Sequence, residues 1–243
     1  MNINYVCIQC KKSFLAPKSQ HRKYCSQRCF MIRQNKLTPE MHYSLISKLT
    51  FSLTKEIINY LDGLLLGDGN IQKPTDRQTT RFRQTASKNH LDYLYEIKSK
   101  LKSYGIDSKL TPYDRFDKRT NKIYSGGLLQ TKCYVTMLDI RKRWYKDIKF
   151  IPQDIELSRN VLRDWYIGDG YHRVDQNSIQ LSTDAFSEED INLLCSRLKN
   201  LGYSPKTSQK RVYLYIGEQV NRFIGDIGKL PESFKYKEGS ISL

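Results

Sequence analysis

Two segments of the chain share one pattern, an apolar run with helical spacing that ends in Gly-Asp-Gly. The first runs from Leu61 to Gly69 and the second from Leu162 to Gly170. A glycine directly after a helix often takes the left-handed conformation that ends it, so each segment predicts a helix stopped by its glycine. Taken alone, either segment is typical of a capped helix followed by a turn. Their repetition, with similar elements after each copy, predicts an internal duplication.

Hydrophobic patterns predict the same elements after each copy. Thr54 is the predicted cap of the first motif helix, and its half continues with strands at 70–73 and 79–85, a helix at 88–104, a hairpin at 107–135 and a helix at 137–145. The second half continues with a hairpin at 171–183, a helix at 188–201, strands at 206–216 and a helix from 218. Gly105 and Gly202 are predicted to end the corresponding helices.

This order of elements predicts an α+β fold. It has two pseudo-symmetric αββαββα repeats that form a saddle of antiparallel sheets, plus a small N-terminal zinc module. The predicted domains are a cysteine module at 1–36, a linker at 37–54, a first repeat at 55–155 and a second repeat at 156–243.

The acids inside the repeated motif, Asp68 and Asp169, are predicted to carry the chemistry. A carboxylate at the C-terminal end of a helix faces the negative end of the helix dipole, so a cation is needed to compensate it. Two such helices side by side would bring two carboxylates together, which is repulsive unless metal ions lie between them. The duplication therefore favours a divalent-metal site at the junction of the motif helices.

Four cysteines near the N-terminus form a second candidate metal site. Cys7 and Cys10 are separated by two residues, and Cys25 and Cys29 by three. Four thiolates in this arrangement suit tetrahedral Zn²⁺, which can hold together a segment too small for its own core. Free thiols or a redox pair are the alternative. His21 is interpreted as a solvated side chain and not as a ligand.

Charge and composition point to a nucleic-acid partner. The 243-residue chain has a formal net charge of +16, a pI near 9.5 and 17 tyrosines, with Lys and Arg spread along its length. A basic surface that serves only solubility would also explain the charge. No apolar run approaches the roughly 18 to 20 residues that span a bilayer, and there is no signal-peptide core. We therefore expect no membrane partner and no secretion.

The predicted strands would present a long concave surface that could lie in the major groove of DNA. Its candidate DNA-binding residues are polar or basic and lie on or beside the strands: Asn70, Gln72, Lys73, Arg81, Arg83, Arg115, Arg119, Lys122, Lys132, His172, Arg173, Gln180, Lys206, Lys210 and Arg211. The cysteine module, with eight Lys/Arg and no acid up to residue 36, is also expected near phosphate.

The two motifs resemble the signature helices of the LAGLIDADG homing endonucleases, in their single-chain branch common in organellar introns. The resemblance extends over about residues 52–240 and leaves out the cysteine module. Beyond the motifs it rests on short segments in both halves, namely 82–85 leading to 89–94, 144–152, 181–187 and 231–237.

The resemblance implies a monomer with its signature helices packed at the centre. It implies that Asp68 and Asp169 bind Mg²⁺, with backbone carbonyls near Gly67 and Gly168 completing the metal shell. By position, Lys149 and Lys237 are the lysines that support these acids. The family cleaves both strands of a long double-stranded DNA target across the minor groove, leaving 3′ overhangs.

One departure from the family pattern affects the helix junction. The second motif has Asp164 where the pattern usually has a small glycine, whereas the first motif has Gly63. A glycine allows two helices to approach closely, so Asp164 predicts a less close approach at this point.

Two other functions fit the same fold. One is an RNA-splicing maturase that binds its own intron RNA, and the other is a DNA-binding regulator that does not cleave. The presence of both Asp68 and Asp169 favours cleavage, because binding alone needs no metal acids. The expected location is a mitochondrion or plastid if the gene is organellar, and otherwise a bacterial or phage-host cytoplasm. Both an intron-encoded and a free-standing gene are consistent with these residues.

Overall fold

The computed structural model describes residues 2–17, 22–35, 49–74, 79–215 and 217–239. The chain forms two compact units, residues 1–49 and 50–243. Most of the predicted linker, residues 37–48, lies outside the described residues, as does His21. Along the described parts of the chain, no helix is both long and apolar enough to cross a membrane.

The described part of the smaller unit, residues 2–17 and 22–35, contains a hairpin and then a helix. Strands β1 (Asn2–Val6) and β2 (Ser13–Pro17) pair antiparallel, and helix α1 spans Gln27–Asn35. The buried apolar side chains of its described residues are Cys7, Ala16 and Cys29. So few buried groups cannot supply a hydrophobic core, so this unit needs another source of stability.

The larger unit contains both repeats. The first repeat comprises α2 (Lys55–Leu66), β3 (Asn70–Ile71), β4 (Phe82–Ser87), α3 (Leu91–Ser103), β5 (Ser108–Asp117), β6 (Lys122–Thr131) and α4 (Thr136–Trp144). The second comprises α5 (Arg159–Asp169), β7 (Gly170–Arg173), β8 (Ser178–Ser182), α6 (Glu188–Asn200), β9 (Lys206–Ser208), β10 (Arg211–Leu214) and α7 (Gly217–Ile227). Short 3₁₀ segments lie at Lys88–His90, Val174–Gln176 and Glu232–Lys237.

The two sheets have the same topology. Their strand orders are β3-β4-β6-β5 and β7-β8-β10-β9, and every pairing is antiparallel. The core combines the inward faces of both sheets with the helices, and its largest fully buried side chains include Trp144, Trp165 and Tyr166. The predicted α+β class and its antiparallel sheets are confirmed.

Two strand predictions were wrong in their bounds. β3 ends at Ile71, so Gln72 and Lys73 lie outside it, and β4 begins at Phe82. Backbone bonds continue here, such as Gln72 N to Arg81 O at 3.0 Å, but hydroxyls replace some of their partners. Thr80 Oγ1 donates to the Gln72 carbonyl, and Phe82 N donates to Thr131 Oγ1 at 3.1 Å. Local bonds of this kind compete with the regular ladder and interrupt it.

The glycines that were predicted to end helices do two different things. Gly105 and Gly202 have φ of +73° and +82°, as the left-handed stop requires. By contrast, Gly67 and Gly170 follow the motif helices with φ of −89°, so the left-handed stop predicted for them was wrong. The motif glycines serve close packing instead, as the helix junction shows.

Candidate active site at the helix junction

The motif helices α2 and α5 touch backbone to backbone at their C-terminal ends. A Cβ atom built on Gly168 would lie 2.8 Å from Gly67 Cα and 2.9 Å from Asp68 N, and one on Gly67 would lie 3.2 Å from Gly168 Cα. Any side chain at Gly168 would therefore push the helices apart. The glycines bring the following acids, Asp68 and Asp169, to one place.

The N-terminal ends of the same helices are fixed by hydroxyl caps. Thr54 Oγ1 accepts from Ile57 N at 3.3 Å, and Ser158 Oγ accepts from Val161 N at 3.4 Å. Each cap satisfies a backbone donor that has no partner within its own helix. Both helices thus begin at defined residues and deliver their acids to defined positions.

Asp164 does not loosen the helix junction, and the less close approach expected from it is wrong. A Cβ on Gly63 would lie 3.2 Å from Asp164 Cβ and 2.9 Å from Val161 Cα, so the missing side chain of Gly63 makes the room. The buried carboxylate accepts from Tyr93 Oη at 3.1 Å and from Arg163 at 3.3 Å. Burial raises the pKa of Asp164 to about 7.

The two motif carboxylates lie in a site that disfavours their charge. Desolvation and then the Asp68 charge raise the pKa of Asp169 to about 6. Desolvation also raises the pKa of Asp68, against the attraction of Lys237 and Lys149. Both side chains remain open to solvent, Asp68 more than Asp169. Their raised pKa values show that the protein alone undercompensates this pair of charges.

Both predicted lysines reach the junction. Lys149 Nζ donates to Gly69 O at 3.2 Å and lies 3.5 Å from Gly67 O. Lys237 Nζ donates to the carbonyls of Gly170, Ile167 and Tyr166 at 2.7, 2.8 and 3.2 Å.

Burial lowers the pKa of each lysine to about 8, while the Asp68 and Asp169 charges oppose that shift. Each repeat thus places one ammonium group on the backbone turn that carries its acid.

The donor set at the junction fits a hard divalent cation. It consists of carboxylate oxygens from Asp68 and Asp169 together with carbonyl oxygens of the motif turns, and oxygen ligands of this kind are what Mg²⁺ binds. The Gly67 carbonyl receives only the long contact from Lys149, which leaves a lone pair free. The undercompensated carboxylates are the observation that favours a cation here.

A cavity of about 300 Å³ opens beside Asp68 and Lys237. Gln84 lines it, and the buried Oε1 atom of this glutamine has no hydrogen-bond partner within the described parts of the chain. Sequence reasoning missed Gln84. The sequence could have identified it. Gln84 lies two residues after the buried Phe82 in the same strand, so both side chains point to the same face, and a polar group is expected there facing inward.

Each sheet presents one row of polar side chains across all four strands. In the first sheet the paired residues are Asn70, Arg83, Gln130 and Lys109. In the second they are Tyr171, Gln180, Tyr213 and Lys206. Directly paired residues point to the same face of a sheet. Both rows therefore lie on the face opposite the core.

The predicted DNA-binding residues divide according to this face. Those in phase with the rows are Asn70, Arg83, Arg115, Lys122, Arg173, Gln180, Lys206 and Arg211. Flanking segments or turns carry Gln72, Lys73, Arg81, Arg119, Lys132 and Lys210. The strand alternation could also have identified Lys109 and Gln130, which were missed.

His172 lies in the opposite strand phase from these rows and is half-buried, and the DNA-binding role predicted for it stays a prediction. It pairs with the buried Ile179, and its Nδ1 atom is buried; a Cβ on Gly239 would lie 2.2 Å from that atom. Its counterpart in the first repeat, two residues after the Gly-Asp-Gly segment, is Ile71, which is buried. Successive side chains of a strand point to opposite faces, so His172 lies on the other face from its neighbour Tyr171.

In the smaller unit, the four cysteines converge. Their Sγ atoms all lie within 4.8 Å of one another, and those of Cys10 and Cys29 are each 3.5 Å from that of Cys25. Four sulfurs bound to a tetrahedral zinc at about 2.3 Å are roughly 3.8 Å apart, so the cluster fits that ion. Side-chain hydrogen bonds with Cys10 and then Cys29 raise the pKa of Cys25 to about 12, so this thiol keeps its proton unless a bound cation favours the thiolate.

Comparison with known proteins agrees with the fold and the paired motifs. The chain matches the LAGLIDADG DNA endonuclease family over residues 58–223 and belongs to that family. The predicted family is therefore confirmed.

Individual relatives are distant. The uncharacterized protein MJ1098 of Methanocaldococcus jannaschii is 28% identical over 196 residues, covering 76% of this chain and 74% of that protein. The DNA endonuclease I-ChuI of Chlamydomonas applanata is 29% identical over 163 residues, covering 62% and 74%. The solved structure of the homing endonuclease I-WcaI bound to its DNA recognition sequence matches 85% of this chain and 96% of its own, with a TM-score of 0.65 and 20% identity. This last likeness shows a shared fold.

Proposed function

We propose that this chain is a site-specific, Mg²⁺-dependent DNA endonuclease that cuts both strands of its target. One observation carries the proposal: the junction of α2 and α5 gathers a carboxylate and a lysine from each repeat, Lys237 buried and Lys149 half-buried. Two such sets at one point match two scissile phosphates on opposite strands. Binding alone would not need a pair of carboxylates with raised pKa values.

The roles of the residues follow from their chemistry. Asp68 and Asp169 would hold the metal, with the Gly67 and Gly168 carbonyls as further oxygen ligands. When bound, Mg²⁺ would lower the pKa of a water ligand and offset the charge on the phosphate. At neutral pH a lysine with a pKa of about 8 is mostly protonated. Lys149 and Lys237 can therefore offer ammonium groups to the charge that develops on each phosphate.

The two sheets would supply target recognition. Their polar rows carry donors and acceptors suited to base edges in the major groove, and the surrounding basic residues suit the phosphates. Such a placement leaves the helix junction over the minor groove between the two half-sites, where cleavage would leave 3′ overhangs. Because both motifs lie in one chain, a monomer suffices. The DNA named for I-WcaI is consistent with this partner.

The cysteine module would bind one Zn²⁺ and add affinity at one end of the target. Its chemistry supports contact with the DNA backbone, since it is basic and has no acid up to residue 36. It has no role in the proposed cleavage, because the larger unit already contains a complete pair of catalytic sets.

Replacing either motif acid by its amide tests the proposal. The wild-type chain would first select its target from a randomised DNA library in Mg²⁺. Asp68→Asn and Asp169→Asn should then abolish double-strand cleavage of that target while the dissociation constant stays within about threefold, because the amide removes a metal ligand and not a base contact. Asp139→Asn, an exposed acid on α4, is the matched control and should cut normally. Near-normal cleavage by either motif variant would remove this active site.

A further inference from the structure

In each repeat, one aspartate accepts hydrogen bonds from the segment that carries the lysine of the other repeat. We call each of these contacts between the repeats a crossing. Asp92, in the first turn of α3, belongs to the first repeat. Its carboxylate accepts from Ser233 N at 3.0 Å and from Ser233 Oγ at 2.5 Å. Ser233 lies in the 3₁₀ segment of the second repeat that ends at Lys237. A side chain of the first repeat therefore anchors the segment that delivers Lys237.

The reverse crossing is made by Asp190, in the first turn of α6 of the second repeat. Its Oδ1 accepts from Ile151 N at 3.0 Å, and Ile151 lies two residues after Lys149 in the first repeat. The other oxygen accepts from Ser187 N at 3.3 Å, and Ser187 Oγ accepts in return from Asp190 N at 3.2 Å. In this capping box the carboxylate itself is held by the backbone donors Ser187 N and Ile151 N, whereas the Ser187 hydroxyl bonds only the backbone of Asp190.

Aromatic rings reinforce both crossings. In the first, the His90 ring stacks on Phe234 with centroids 4.2 Å apart, and Lys237 Nζ lies 5.4 Å from the Phe234 centroid. In the second, Lys149 Nζ lies 5.8 Å from the ring of Phe186, which directly precedes the α6 cap. Rings of the same repeat also lie near each lysine: Tyr166 is 5.6 Å from Lys237 Nζ, and Trp144 is 5.8 Å from Lys149 Nζ. His90 and Phe186 are the aromatic contacts that come from the opposite repeat.

The segments that carry the lysines have little regular structure of their own. Between α4 and α5, Lys149 takes part only in an isolated bridge with Tyr145. The Lys237 segment is a short 3₁₀ turn, a form with poorer hydrogen bonds than an α-helix. Bonds within the same repeat hold part of each segment: Tyr166 Oη donates to the Lys237 carbonyl at 2.6 Å, and Phe150 N donates to Trp144 O at 2.9 Å. The bonds to Asp92 and Asp190 add the anchor from the opposite repeat.

We propose that Asp92 and Asp190 are crossed positioning residues, each of which holds in place the lysine that serves the opposite repeat. The inference rests on the proposed function, since it assumes that Lys149 and Lys237 assist cleavage. Each catalytic set consists of a motif acid and the lysine of the same repeat. The consequence is that each set needs an acid from the other repeat: Asp92 positions Lys237, and Asp190 positions Lys149.

Strand-resolved kinetics test this consequence with the full-length protein. The two strands of the selected target would carry different end labels, and both nicking rates would be measured in single turnover at saturating enzyme. Lys149→Met and Lys237→Met first identify the strand that each lysine serves. Asp190→Ala should slow cleavage of the DNA strand that Lys149 serves by about 10- to 100-fold. Asp92→Ala should slow cleavage of the DNA strand that Lys237 serves by a similar factor. Displacement of a catalytic group by about 1 Å can cost a factor of this size.

Two comparisons separate positioning from general stability. Asp92→Asn and Asp190→Asn keep one acceptor oxygen and should recover most of the lost rate on the same strand. Ser187→Ala removes the cap of α6 but leaves the bond from Ile151 N to Asp190, so both strand rates should stay within about threefold of wild type. The dissociation constant for DNA should be unchanged in every variant.

The outcomes distinguish this inference from the proposed function. The positioning role is overturned if the Asp92 and Asp190 variants slow both strands equally or slow neither. The proposed function is still upheld in that case if each lysine variant slows only one strand. If Lys149→Met and Lys237→Met leave both rates unchanged, the assigned role of the lysines fails, and the crossed positioning fails with it.

Discussion

The amide variant Asp169→Asn should be more stable than the wild type in metal-free buffer, although it cannot cleave. Desolvation and the neighbouring Asp68 raise the pKa of Asp169 from 3.8 to about 6, and this value already includes the attraction of Lys149 and Lys237. A pKa that is higher in the folded state means that folding disfavours the charged carboxylate. An amide at the same position avoids that cost.

The size of the effect follows from the shift. Each pKa unit corresponds to about 1.4 kcal/mol, so a shift of about two units gives about 3 kcal/mol before screening. Because the carboxylate is partly exposed, solvent screening reduces this to about 1–2 kcal/mol. For a chain of this size, that should raise the unfolding midpoint by roughly 2–8 °C.

The pH dependence has a defined sign. Below about pH 4 the Asp169 carboxyl is protonated in both folded and unfolded states, so the variant and the wild type should have equal stability. The wild type should lose stability relative to the variant as the pH rises from about 4 to 6, and the difference should then remain constant. Added Mg²⁺ should reverse the order by stabilising only the wild type.

Thermal unfolding at pH 4, 5, 6 and 7.5 would measure this difference, without chelator so that the zinc proposed for the cysteine cluster is not stripped. Asp147→Asn, an exposed carboxylate outside the helix junction, is the control and should change the midpoint by less than about 1 °C. A variant that is equal to or less stable than the wild type at pH 7.5 in metal-free buffer would refute the electrostatic account of this site.

Two further predictions concern packing and the cysteine module. Gly168→Ala should destabilise the chain by about 1–3 kcal/mol or more, because its Cβ would meet backbone at 2.8 Å, whereas Gly225→Ala on α7 meets nothing within 4 Å and should stabilise by about 0.5–1 kcal/mol. Denaturant unfolding of both variants checks this, and similar effects would contradict the role of close packing. Removal of residues 1–36 should abolish the one bound zinc and shorten the DNA footprint on one side, with the cut position unchanged. Metal analysis and footprinting check this, and an unchanged footprint would assign the module another role.

The repeats could be predicted from sequence because their signals are local. Hydroxyl caps, apolar spacing and the left-handed glycines Gly105 and Gly202 each act within a few residues, and the structure shows both glycines in that conformation. The two halves also support each other, because a weak pattern in one is repeated in the other. The family resemblance then added the site residues, which local patterns alone do not specify.

Other features depend on contacts between distant residues and could not be predicted in this way. The motif glycines are required because a side chain would clash with the neighbouring helix, and not because of a positive φ. Which helix packs there is decided by the tertiary structure and not by the local sequence. His172 faces inward because β7 begins directly at Gly170, which sets the phase of the strand. The lysines sit on opposite sides of similar proline turns, Lys149 before Pro152 and Lys237 after Pro231, so the repeats do not align at these residues.

The buried acid at Asp164 shows why duplicated helices need not keep duplicated residues. Close approach at a helix crossing requires space on only one side, and Gly63 supplies it. Position 164 is then free to differ, provided that its buried carboxylate has partners. Tyr93 from the first repeat and Arg163, itself paired with Glu96 of the first repeat at 2.6 Å, provide them. Asp164 thus makes a polar link between the repeats at the point where Gly63 makes room, of the same kind as the links made by Asp92 and Asp190.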